Sequence, residues 1–353
     1  MSSDHDPIKP AAGVSEMGMS GSAGAVELAE DEIQGAEARG EILGRTQRQI
    51  AWARFKRDKV SMAALVGSII VVLLAVIAPL LEAVGLTNTT QGNPALVPEE
   101  GSLPSGAFGG MSTSHWLGVQ PGSGKDLLSL ILAGMTTSLQ VAVFATAIAI
   151  VLGTLFGLIA GFAGGKIDWL ISRFMDLVLS FPQVLMLLSL QLVLVAIIAN
   201  VMGMSEAAPW PKKLFMIIVL GFFGWPYFAR IIRGQVMSLR QREFVEAARS
   251  LGAKNGRLYL KELLPHLWAP ILVYTSLILP QNISAEAALG FLGVGLNPPA
   301  VSLGSILNDS VVYAPSDPAY FLFPGGTVFL MVLAFNLLGD GLRDALDPKA
   351  DRQ

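Results

Sequence analysis

Six stretches of the chain stay apolar long enough to cross a bilayer: about Ser61–Val84, Ser138–Gly161, Leu177–Val201, Leu214–Ile232, Leu267–Leu289 and Tyr320–Leu342. A hydrocarbon core of about 30 Å takes about 20 such residues in a helix. The pattern predicts an all-α membrane protein with six transmembrane helices. Pro182 lies near the start of the third stretch, and Pro270 and Pro280 lie in the fifth. Kinks are expected at these positions. The first long apolar run begins near Val60, too late for a cleavable signal peptide.

The polar positions divide the remainder. Residues 1–43 hold nine acids against Lys9 and Arg39, with no apolar period able to build a core. This block is expected to be a disordered, acidic cytoplasmic tail. Residues 44–60 reverse the charge, and Arg45–Lys59 holds six basic residues and one acid. Trp52 and Phe55, three apart among Arg48, Arg54, Lys56 and Arg57, suit a helix lying on an anionic membrane surface. A first span follows at 61–84. An outer loop and pre-span helix are expected over 85–137, a five-span core with a basic loop at 233–265 over 138–345, and a short cytoplasmic tail at 346–353.

Basic residues orient these spans. The Arg230–Lys261 connection carries eight: Arg230, Arg233, Arg240, Arg242, Arg249, Lys254, Arg257 and Lys261. The Gly85–Lys125 connection carries Lys125 alone, and Gly295–Ala319 carries none. With six spans, the basic loop and both termini fall on one side, which is therefore the cytoplasm. Lys212 and Lys213 dissent on the outside. The outer Gly85–Gly124 segment is too long for a turn and is expected to pack over the outer mouth or meet an external partner. Pro298, Pro299, Pro315 and Pro318 predict a stiff, ordered loop over Asn297–Pro318.

Composition sharpens the class. The 353 residues are 52% hydrophobic and 14% charged, with a mean hydropathy of +0.57. Soluble domains carry about 25% charged residues. The absence of cysteine excludes disulfides and thiol chemistry, and His5, His115 and His266 have no metal-ligand spacing. The polybasic stretch runs into a span, which argues against nucleic acid as its partner.

Two catalytic signals fail. Gly122-Ser123-Gly124-Lys125 resembles the end of a phosphate-binding loop. Val119 stands where the first glycine is needed and Asp126 follows the lysine. No nucleotide site or cofactor site is visible, so any ATP hydrolysis would have to come from a partner. Paired carboxylates are also missing from the spans. Glu82, Asp168, Asp176 and Asp340 sit at span ends, where snorkelling or helix capping accounts for them. Glu286 lies inside the fifth run, with Gln281, Asn282 and Ser284 one turn earlier. A carboxylate there is costly and faces a cavity or a partner group. Asn282 and Glu286 are either a polar wall of a translocation path or a structural contact that locks two helices.

The basic loop carries the most specific pattern. Glu246-Ala247-Ala248 precedes Gly252 by six residues, and Leu264-Pro265 follows. The spacing predicts a short helix, a glycine turn, a second helix, and a proline opening the next span. Phe244, Ala247, Ala248 and Leu251 are expected on one face, where small alanines allow close seating in a groove.

This Glu-Ala-Ala…Gly…Leu-Pro pattern resembles the "EAA" loop of bacterial ABC importer permeases, although Glu262 departs from it. Trp116-Leu117-Gly118 with Gly124-Lys125-Asp126, Ser180-Phe181-Pro182, Gly224–Arg230, Ala285–Gly295 and Ala334–Pro348 are similar to the "C" type of dipeptide and oligopeptide permease. Lys125, Leu130 and Thr136 stand where that family usually has arginine. The resemblance covers about residues 45–350.

It implies a type I ABC importer permease fold in the bacterial plasma membrane and a non-catalytic role. It also implies a second "B"-type permease chain, two ABC ATPase subunits that bind ATP and Mg, and an external peptide-binding protein. Glu246, Ala247, Ala248 and Gly252 would dock on one ATPase. Nickel, opine and glutathione permeases share these motifs. A secondary transporter would need more ionisable residues in its spans and inverted repeats. A membrane enzyme would need a nucleophile, a metal cluster or paired carboxylates.

Overall fold

The computed structural model describes residues 47–97, 102–106, 108–296 and 300–346. The expected tail at 1–43, Pro298, Pro299 and the C-terminal tail from 347 lie outside the described residues. The chain divides into two units, 1–53 and 54–353. Helix α1 (Gln47–Arg57) carries the described residues of the first.

The second unit is helical, with six helices long and apolar enough to span a membrane. Helix α2 (Lys59–Ala83) is the first span, and Asp58 caps it by accepting from the backbone N–H of Val60 and Ser61. Phe55 is 3% exposed and lies beside Gly341, where a side chain would meet the Phe55 ring at 3.2 Å. The ring therefore packs within the protein, not on a lipid surface as its spacing to Trp52 suggested.

Helix α3 (Leu127–Ala163) has 37 residues and a length of about 55 Å. The expected pre-span helix and second span are thus one rod. Asp126 starts it by accepting from the Ser129 N–H at 2.8 Å. Gly164, at φ +66°, ends it. Helix α4 (Gly165–Ser180) is a separate amphipathic helix, and α5 (Gln183–Met202) is the third span. Phe181 and Pro182 leave helical geometry, so the proline ends one helix and starts another instead of kinking a single span.

Helix α6 (Pro209–Leu239) packs more extensively on α3 than any other pair of elements packs. Gly153, Gly157 and Gly161 form the contact on α3. A Cβ at Gly157 would lie 2.6 Å from the Ala229 carbonyl, and one at Gly161 would lie 2.8 Å from the Arg233 carbonyl. Small residues at a spacing of four let two backbones touch, which is how spans gain packing energy where lipid removes the hydrophobic drive.

Helices α7 (Glu243–Ser250), α8 (Leu264–Phe291), α9 (Leu303–Ser310) and α10 (Pro318–Leu346) complete the unit. Helix α10 packs on α8 and α2, and α8 packs on α3. The described part of the proline-rich segment, from residue 300, builds α9. Ser302 and Ser305 form a reciprocal capping box at its start. Among the described residues there is no strand, though isolated bridges join Gly92 to Lys125 and Val119 to Asp126. The stretch that mimics a phosphate loop therefore leads into the α3 cap.

Candidate coupling helix and buried polar contacts

Helix α6 ends at Arg240, whose Nη1 donates to the Gly161 carbonyl at 3.1 Å. The chain then turns into α7. Glu243 and Glu246 occupy its first turn and Arg249 its last, which complements the helix dipole at both ends. At the far end, the Gly252 N–H donates to the Arg249 carbonyl at 2.9 Å. The Ala253 N–H donates to the Ala248 carbonyl at 3.0 Å. This pair of bonds is a Schellman closure, and Gly252 at φ +80° supplies the left-handed residue it needs.

Burial along the helix is uneven. Val245 is fully buried and anchors α7 on the cluster formed by Phe228, Ile232, Val236, Leu258 and Leu263. Phe244 stacks on His266 with centroids 4.6 Å apart, and Ala248 packs beside the same cluster. Arg249 lies over the Phe162 ring at 4.7 Å. Glu246 and Ala247 point outward, and Leu251 is 89% exposed. Phe244, Ala247, Ala248 and Leu251 fall within one arc of about 100°, as the spacing predicts, but that arc is split between packing and exposure. Phe244 and Ala248 hold the helix to the protein, while Ala247 and Leu251 are presented outward. Helices advance 100° per residue, and Val245, next to Phe244 and three before Ala248, was the signal for the inward side.

After Gly252, a turn at Asn255–Arg257 and a π-helical turn at Leu258–Leu263 lead into α8. Leu258 and Leu263 are buried, and Pro265 occupies the first turn of α8, where its missing N–H costs nothing. Glu262 lies 3.9 Å from Arg257.

Two ion pairs tie α4 to the C-terminal half of α6. Arg233 donates to both Asp168 oxygens, at 2.5 and 2.8 Å, and Arg230 donates to Asp176 at 2.5 Å. Capping and snorkelling do not account for these acids; cationic partners on a neighbouring helix do. The Arg233 guanidinium holds the Asp168 carboxyl below the usual carboxylate range.

The two in-span polar candidates both face α3, at different heights. Asn282 is 8% exposed and donates from Nδ2 to Thr146 Oγ1 at 2.8 Å, joining α8 to α3. Glu286 is fully buried one turn later. The hydroxyls of Ser138 on α3 and Ser302 at the α9 cap face it, yet neither carboxylate oxygen completes a hydrogen bond. Ser138 Oγ instead accepts from the Leu303 N–H at 3.2 Å. Both residues thus lie inside this chain's packing, Asn282 between α8 and α3 and Glu286 at the junction of α3, α8 and α9. Thr136, which stands where arginine was expected, donates to the Ala75 carbonyl at 2.7 Å and joins α3 to α2. Among the described residues no group of three His, Asp or Glu side chains could hold a metal.

Comparisons with known proteins fit this architecture. A family model described as binding-protein-dependent transport system inner membrane component matches residues 153–352. A second, the N-terminal TM domain of oligopeptide transport permease C, matches residues 46–94. The chain is 40% identical over 298 residues to a dipeptide transport system permease protein, DppC, of Alkalihalophilus pseudofirmus, over 84% of this chain and 88% of that protein. It is 33% identical to the oligopeptide transport system permease protein OppC of Bacillus subtilis, over 85% and 88%. It is 38% identical to a glutathione transport system permease protein, GsiD, of Pectobacterium atrosepticum, over 68% and 74%. An inward-facing structure of the MetNI methionine ABC transporter shares the fold, with a TM-score of 0.50 at 17% identity over 63% of this chain and 98% of that one. With six membrane-spanning helices and matches over most of its length, the chain belongs to the binding-protein-dependent transport system inner membrane components, the non-catalytic permease subunits of ABC importers in the bacterial plasma membrane.

Proposed function

We propose that this permease imports dipeptides and short oligopeptides. Permeases of this family work with an ATPase, a substrate-binding protein and a second permease. In this reading the second permease is a "B"-type chain, two ATPase subunits hold ATP and Mg, and the binding protein delivers peptide from outside. The N- and C-termini face the cytoplasm together with α7. The peptide reading draws on the relatives named dipeptide and oligopeptide permeases. The GsiD relative supports glutathione, itself a short peptide, as the second reading.

The observation that carries the coupling mechanism is the division of α7. Val245, Phe244 and Ala248 fasten it to the α6 and α8 ends, while Glu246, Ala247 and Leu251 face outward beside the Gly252 turn. Docked in an ATPase groove, α7 would move as the ATPase dimer closes and would carry α6 and α8 with it. Asn282 and Glu286 sit where that motion reaches the outer helix α9. Asn282 supports the locking role, and Glu286 adjoins the same junction.

ATP-driven uptake in proteoliposomes holding the full complex tests the proposal. Labelled dipeptide should accumulate only with ATP and the cognate binding protein, in preference to glutathione. Uptake driven by an ion gradient without ATP would defeat it.

A further inference from the structure

Helices α3 and α6 leave an apolar groove of about 550 Å³ between them on their outward side. Phe144, Ile148 and Val151 form one wall, and Trp210, Leu214 and Ile217 form the other. At one end lies Lys213. A lysine at a span end ordinarily reaches away from the protein toward water. This one is half-buried and turned back over its own helix. Its Nζ donates to Gln140 at 2.8 Å and lies 4.9 Å from the Trp210 ring centroid. Among the described residues no carboxylate pairs with it. Lys212 adds a second cation beside it.

Charge and lining select the occupant. The lining follows α3 from Phe144 to Leu152 for about 12 Å, and Gln140 with Lys213 lies one turn beyond it. A wholly apolar groove with a cation at one end suits a hydrocarbon chain that carries an anionic head group. The fixed cation stands at the mouth, and every wall side chain beyond it is apolar.

We infer that this groove is a binding site for one anionic phospholipid, with its phosphate at Lys213 and Lys212 and an acyl chain between α3 and α6. The site lies at the end of α6 opposite the basic loop, and so in the outer leaflet by the orientation given above. It stands independently of which peptide the permease carries. Because α3 and α6 form the most closely packed pair in the chain, a lipid in their shared groove would bear on the same rigid unit that α7 moves.

Native mass spectrometry of the full chain with its partner subunits tests the site. The complex is titrated with palmitoyl-oleoyl phosphatidylglycerol and, separately, with the phosphatidylcholine of the same chains. The wild-type complex should retain phosphatidylglycerol preferentially. Lys213→Gln should weaken that binding about fivefold and leave phosphatidylcholine unchanged. Val151→Trp, at a side chain 65% exposed, should fill the groove and weaken both lipids without touching the cation. A photo-reactive benzoylphenylalanine replacing Val151 should label lipid. Equal retention of the two lipids, binding that neither substitution changes, or labelling of the partner permease in place of lipid would overturn the inference.

Discussion

Asp168 accepts hydrogen bonds from Nε and Nη2 of Arg233, at 2.5 and 2.8 Å, across 65 positions of sequence. The pair joins the first turn of α4 to the last third of α6. The same Arg233 supplies the backbone carbonyl that Gly161 of α3 packs against. Helices α3, α4 and α6 are thereby closed into one body at the end that carries α7.

That pair makes the protein acid-sensitive in a definable window. The folded Asp168 carboxyl is held below its ordinary value, chiefly by the Arg233 hydrogen bond. Its contribution is therefore full above the unfolded pKa of about 3.9 and is lost as pH falls through the lower folded value. Asp168→Asn should lower stability by about 1–3 kcal/mol at neutral pH. The gap between wild type and variant should narrow as pH falls below about 3.9 in thermal unfolding measured in detergent. A gap independent of pH would remove the charge from the argument.

The α3–α6 contact predicts opposite results at two glycines. Gly157→Val places side-chain atoms where the Ala229 carbonyl stands and should cost about 1–3 kcal/mol or prevent folding. Gly234→Ala, on the exposed side of α6 with nothing within 4 Å, should gain about 0.5–1 kcal/mol. Melting temperatures of the two purified variants check both directions.

Glu286 separates stability from transport. Its oxygens complete no hydrogen bond, so Glu286→Met should leave stability unchanged or raise it by about 1 kcal/mol. If Glu286 also acts in the transport cycle, peptide uptake by the same variant should fall. A large loss of stability would mean that the carboxylate holds α9 in place through Ser138 and Ser302. Asn282→Leu, by contrast, strands the Thr146 hydroxyl and should cost about 1–2 kcal/mol.

Much of this architecture was legible from periodicity and charge, and the misses have physical causes. The six spans stood out because lipid demands long apolar runs. The first third of α3 did not, since Ser129, Gly134, Thr136 and Ser138 interrupt its hydropathy. Those small polar residues serve contacts with α2, α8 and α9 that no single-helix pattern reveals. Pro182 was visible as a break, but its result depended on α4 finding Arg230 and Arg233 as partners. The Glu246–Gly252 pattern located α7 and its turn. It could not assign the faces, because Val245 and Leu251 are equally apolar and only the packing against Leu258 and Leu263 distinguishes them. Helix α9 was hidden among prolines, though Ser302 and Ser305 marked its start.

The role of α7 rests most directly on ATP-driven peptide uptake, measured beside ATPase activity in proteoliposomes of the whole complex carrying Glu246→Arg. Glu246 faces outward and supports no buried contact, so the variant should insert and assemble at wild-type levels. Uptake should fall at least about tenfold and ATPase activity should lose its response to the loaded binding protein. Wild-type uptake at wild-type expression would contradict the assignment of α7 as the element that couples the ATPase to the spans.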